Sequence, residues 1–140
     1  MEFMKKLHNA DLGILLIRVA LGIVFIYAGW FKLNNMEMVI GGFASMGFAT
    51  WLAYLVAYVE FLGGIALVLG IFVRYVGILL AIVMLVAMIK VHIPNGYSLA
   101  NNGYEYVLLL MLASLAITTL GAGKYSVAKL FKKSELTAQV

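Results

Sequence analysis

Four long stretches of nearly uncharged, apolar sequence dominate this chain, at residues 12–33, 51–73, 74–92 and 104–121. Each is close to the ~20 residues that a helix needs to cross a ~30 Å hydrocarbon layer. Backbone amides in lipid have no water to bond, so a spanning segment must satisfy them internally, as a helix does. The strands of a barrel would alternate in polarity, and these stretches do not. With 65% apolar and 11% charged residues in a chain of 140, a soluble fold has too little interior to hide the apolar surface. The expected fold class is therefore all-α: a single-domain polytopic membrane protein over residues 1–140, built as a four-transmembrane-helix antiparallel bundle. The first stretch is too long for a signal peptide and lacks a small-residue cleavage site, so it is read as the first span.

The lysines and arginines set the expected orientation. Lys5, Lys6, Arg74, Lys124, Lys129, Lys132 and Lys133 fall on one side of the four spans, and only Lys32 and Lys90 on the other. The positive-inside rule puts the first group, both termini and the basic tail 124–140 in the cytoplasm. Trp30, Trp51, Tyr54, Tyr97, Tyr104 and Tyr106 then form an aromatic belt at the outer interface. Of the connections, 34–50 reads as a short interfacial helix, and 93–103 carries the turn signals Pro94 and Asn95-Gly96. Phe72–Tyr75 must turn tightly with Arg74 at the headgroups, and the last few residues of the weakly amphipathic tail are expected to be disordered.

Composition also narrows the chemistry. With no cysteine, the chain itself offers no disulfide, thiol redox centre or cysteine-bound iron–sulfur cluster. Two histidines, one near the N-terminus, do not suggest a metal or haem site. The net charge of +4 is modest and gathered at the chain ends, which suits anionic lipid and not nucleic acid. Membrane lipid is thus the one partner that composition itself implies.

Charged residues inside the spans are the informative ones, since an unpaired charge there costs at least ~2.5–3.5 kcal/mol. Arg18, Gly22, Phe25, Gly29 and Lys32 share one face of the first helix, and Glu60, Gly63, Leu67, Gly70 and Arg74 one face of the second. Measured from the outer ends, Glu60 lies roughly 14 Å deep and Arg18 roughly 22 Å. Two long side chains can close the difference of about 8 Å, so an Arg18–Glu60 ion pair is expected. It reads first as a structural clamp on helix register, and otherwise as part of a site. A second cluster lies at the outer end, where Lys32, His92 and Glu105 should stand at similar depth. His92 follows the face of Gly77, Ala81, Met84 and Met88, whereas Lys90 is expected to point away and snorkel to the headgroups. Arg18, Glu60, His92 and Glu105 together form the candidate polar pocket, opening outward. A histidine and a carboxylate can exchange protons near neutral pH, as quinone chemistry needs.

The ordered set of motifs resembles the DoxX family. It comprises Arg18, Gly22 and Ala28-Gly29-Trp30-Phe31-Lys32-Leu33; then Glu60-Phe61-Leu62-Gly63-Gly64, Leu69-Gly70 and Arg74; then His92 and Asn95-Gly96-Tyr97; and finally Gly103-Tyr104-Glu105-Tyr106 and Gly121-Ala122-Gly123-Lys124-Tyr125-Ser126. The resemblance implies a four-helix inner-membrane protein, similar to subunits of quinone-linked oxidoreductases or to membrane partners of redox-protective enzymes. The family often has an aspartate after the last of these motifs, where this chain has Val127-Ala128-Lys129. A quinone is the implied cofactor, with none held covalently in the chain, and the implied partner is a redox enzyme subunit or a second copy of the chain. Two other readings stay open: a non-catalytic scaffold that anchors a soluble enzyme through the basic tail, and a binding or transport protein for a small solute. No catalytic residue is assigned at this stage.

Overall fold

A computed structural model describes residues 1–139, and Val140, the end of the tail expected to be disordered, lies outside them. All regular structure among the described residues is helical. The α-helices are α1 (Glu2–Leu7), α2 (Ala10–Asn34), α3 (Met36–Ser45), α4 (Thr50–Leu69), α5 (Val73–Ala87), α6 (Glu105–Leu120) and α7 (Val127–Ala138). Three helical segments are long and apolar enough to cross a membrane: Ala10–Asn34, Thr50–Leu69 and Val73–Asn95. The apolar helix α6 is shorter, at 16 residues.

Local chemistry accounts for the helix ends. Asn9 caps α2, its side chain accepting the Leu12 N–H at 3.0 Å. Helix α4 stops at Gly70, which takes a left-handed conformation (φ 78°) and donates its N–H to Ala66. The reversal into α5 is shorter and earlier than expected, centred on Gly70–Phe72. At its far end α5 passes into a π-helical turn, Met88–His92, and then a 3-10 turn, Ile93–Asn95. Pro94 cannot donate to the Lys90 carbonyl and its ring crowds that oxygen, so the turn before it widens.

The helices pack as two close pairs, α2 with α4 and α5 with α6, and the pairs meet through α4 with α5 and α2 with α6. Glycines bring the first pair together. A Cβ on Gly64 would lie 2.6 Å from the Ile26 nitrogen and 2.7 Å from the Gly22 oxygen. Gly63, expected on this face, looks toward Val76 and Leu80 of α5 instead. Gly77 lets α5 approach Ser114 and Thr118 of α6. The common core includes Leu21, Phe25, Leu67, Leu80, Met84, Leu110 and Ile117. Outward positions such as Leu16, Ile23, Leu62, Leu79 and Leu109 are exposed and apolar, a surface suited to lipid.

The start of α2 and the segment leading into α7 share one end of the molecule, the terminal end, where Asp11 accepts the Lys124 N–H at 2.9 Å. Helix α3, residues 46–49 and residues 88–104 make up the other, the loop end.

Candidate functional site

Between the two helix pairs, in the half nearer the loop end, lies a cavity of about 760 Å³. Its walls come from Val24, Phe25 and Ala28 of α2, Leu52, Val56 and Val59 of α4, Val83 and Ala87 of α5, and Val107 and Leu110 of α6. Phe43, Met46 and Phe48 close it from the loop end. Some wall residues, among them Leu55, Leu79 and Ile82, are also exposed on the outer surface, so the cavity reaches the apolar flank of the molecule.

Its charged and polar side chains are few: Lys32, Glu60, Lys90 and His92, with Tyr27 and Tyr106 adding hydroxyls. Glu60 is only 1% exposed, and Lys32 Nζ donates to its Oε2 at 2.6 Å. Gly29 rests against Phe61, which sets Lys32 only about 3 Å nearer the loop end than Glu60, within reach of a long side chain. His92 Nδ1 lies 2.9 Å from the Asn102 carbonyl. A carbonyl only accepts, so Nδ1 carries a proton, which leaves Nε2 as the acceptor position of the neutral ring. Lys90 Nζ stands 5.8 Å from the centre of the Phe48 ring.

A second polar site lies at the terminal end, separate from the cavity. Arg18 is 1% exposed, and its guanidinium donates to carbonyl oxygens of the described residues. Nε donates to Leu67 at 2.6 Å, Nη2 to Tyr125 at 2.7 Å, and Nη1 to Ala122. Leu67 belongs to the last turn of α4, whose carbonyls have no intrahelical partner and carry the negative end of the helix dipole. Arg74 repeats the arrangement on α6, donating to Thr118 at 3.3 Å and Thr119 at 3.2 Å. No buried side-chain nitrogen or oxygen among the described residues lacks a partner.

The DoxX family model matches residues 13–93, more than half of the chain. This chain belongs to the DoxX family. It is 36% identical over 108 residues to "Putative oxidoreductase CatD" of Bacillus subtilis (strain 168), covering 77% of this chain and 80% of CatD. It is 31% identical over 134 residues to "Inner membrane protein YqjF" of Escherichia coli (strain K12), covering 93% of this chain and 98% of that one. An uncharacterized protein of Haemophilus influenzae (strain ATCC 51907 / DSM 11121 / KW20 / Rd) is 36% identical over 67 residues, 48% of this chain and 44% of its own. No solved structure matches.

The structure divides the DoxX motif residues differently from the expectation. Arg18 and Glu60 do not pair: Arg18 bonds Leu67, seven residues beyond Glu60 or about 11 Å along α4. The expected pairing aligned the ends of the two apolar stretches, whereas the packed glycines slide α2 against α4, so Glu60 meets Lys32 instead. Of the four residues expected in one pocket, Glu60 and His92 line the cavity and Arg18 and Glu105 do not. Glu105 accepts the Leu99 N–H at 2.7 Å and orders the loop before α6. Lys90 lines the cavity and does not point away from it; the π turn alters the helical phase that the α spacing assumed. Arg74 grips the end of α6. The role of Lys32 was signalled by the shared face with Arg18 and Gly29, which holds: Arg18, Gly22, Phe25 and Gly29 are all buried. Among the described residues no cluster of metal-ligating side chains occurs.

Proposed function

We propose that this DoxX protein is a four-span inner-membrane subunit, both termini cytoplasmic, whose cavity binds a quinone on behalf of a redox enzyme. The observation that carries the reading is the cavity itself: walls that are mostly apolar, with polar side chains in a small group. The size, about 760 Å³, falls in the range of sites for small organic molecules. The apolar flank at Leu55, Leu79 and Ile82 suits entry from the bilayer. The DoxX relationship, the name carried by CatD and the inner-membrane name of YqjF support the same reading.

A quinone supplies two-electron, two-proton chemistry when bound. The residues of this chain would hold and orient it. Lys32 and Lys90 offer ammonium donors to ring oxygens, His92 can take a proton at Nε2, and Glu60 holds Lys32 in place. The partner enzyme is the source or acceptor of the electrons.

Thermal unfolding of detergent-purified protein against short-chain quinones tests the proposal. A quinone should raise the midpoint of the native chain, and a decane of equal apolar length should not. Glu60→Gln, which leaves Lys32 a hydrogen-bonding partner but removes the charge that holds it in place, should fold and lose most of that rise. If no quinone shifts the native midpoint, the quinone site is rejected and the non-catalytic scaffold becomes the better reading.

A further inference from the structure

Helix α7 has a role that the cavity does not explain. None of its residues is buried against the rest of the protein, yet it separates its side chains by polarity more strongly than the longer helices do. At ~100° per residue, Val127, Leu130, Phe131, Ser134 and Ala138 fall on one side, and Lys129, Lys132 and Lys133 on the opposite side. Leu136 is the exception, among the lysines. Leu130 and Phe131 are each 67% exposed, a large apolar surface for a 12-residue helix.

The base of this helix is fixed. Ser126 caps it, accepting the Lys129 N–H at 3.3 Å, and the preceding Tyr125 carbonyl is held by Arg18 from inside the helix packing. Asp11 holds Lys124 at the first turn of α2. The helix thus starts at the end of the molecule where α4 and α6 finish, which the membrane reading of the helices puts at the headgroups. At the same end, α1 carries Lys5 and Lys6 beside exposed Phe3, Met4 and Leu7.

We infer that α7 is an interfacial helix that lies on the bilayer, its Val127, Leu130 and Phe131 side in the acyl boundary and its lysines attracting anionic lipid headgroups. Charge complementarity selects this occupant: the polar side carries three lysines against the single carboxylate Glu135. An apolar stripe opposed by lysines, with low net hydrophobicity, is the pattern of helices that lie in an interface. A lysine held within about 10 Å of an anionic surface remains inside the Debye length, so it still draws the helix down from the water side. The inference rests on the membrane reading of the helices and is independent of what the cavity binds.

The chain has no cysteine, so a single one can carry a probe. Phe131→Cys and Lys132→Cys, each labelled with a small fluorophore, are reconstituted as full chains in phosphatidylcholine vesicles with or without phosphatidylglycerol. A neutral aqueous quencher, acrylamide, reads exposure, and unchanged thermal midpoints verify the fold. In phosphatidylglycerol vesicles the probe at 131 should be quenched about three-fold less than the probe at 132. That protection should fall in phosphatidylcholine alone, in high salt, and when Lys129, Lys132 and Lys133 are all changed to Gln behind the probe at 131. Equal quenching at both positions overturns the proposal. So does protection that is the same with and without anionic lipid, or protection that appears only when a soluble protein partner is added.

Discussion

At the residue scale, Arg18 shows how a membrane helix can carry a guanidinium without a carboxylate to neutralise it. Its planar fork reaches carbonyls at the end of α4 and in the segment after α6, oxygens left without helical partners by the ends of those helices. One side chain thereby ties three parts of the chain together. Lysine offers a point charge with three donors and cannot span the same set, so Arg18→Lys should destabilise the protein by about 2–4 kcal/mol. The thermal midpoint of the purified variant measures this, and since Arg18 lies outside the cavity, any quinone-dependent rise should survive. An unchanged midpoint would mean that the carbonyls find other donors. Glu60 is the contrasting case, held by one lysine that is itself 26% exposed, an arrangement open to a ligand in a way that the Arg18 site is not.

At the element scale, contact between α2 and α4 depends on glycine. The atoms that a Cβ on Gly64 would strike, the Ile26 nitrogen and Gly22 oxygen, belong to backbone and cannot rotate aside. Gly64→Ala should therefore force the helices apart and cost about 1–3 kcal/mol, with loss of the Glu60–Lys32 geometry. Gly13, on the same helix as Gly22, has nothing within 4 Å of its would-be Cβ. Gly13→Ala should be neutral or stabilising by up to about 1 kcal/mol, through helix propensity alone. Unfolding of the two variants side by side checks the contrast, and equal effects would refute the close-approach account. The π turn at Met88–His92 is the other decisive element, because it delivers both Lys90 and His92 to the cavity at the point where Pro94 ends regular helix.

At the scale of the whole molecule, the start of α2 and the base of α7 lie at one end and the cavity occupies the other half. If the spans cross as proposed, the cavity faces the outer leaflet and α7 the cytoplasm. Cysteines placed one at a time in the cysteine-free chain test this. An impermeant maleimide on intact cells should label Asn101→Cys, and should reach Lys6→Cys and Ser134→Cys only after the membrane is opened. Labelling of position 134 on intact cells would reverse the topology and place α7 on the other leaflet.

The class of the protein and the faces of its helices were legible in the sequence for a simple reason. Hydropathy over some twenty residues and a helical repeat are local properties, and no partner has to be known to read them. The buried stripe of Arg18, Gly22, Phe25 and Gly29 follows from spacing alone. Who meets whom across the helices does not, because sliding α2 along α4 by two turns leaves every face unchanged while exchanging the partners of each charge. That slide is decided by where glycine permits backbone to touch backbone, at Gly29, Gly22 and Gly64. The same holds after Ala87, where a widened turn shifts the phase of Lys90 and His92. The sequence thus determined a helical DoxX membrane protein with charges on its packed faces. Only the tertiary structure decided that Glu60 belongs to Lys32 in the cavity wall and Arg18 to the carbonyls at the far end.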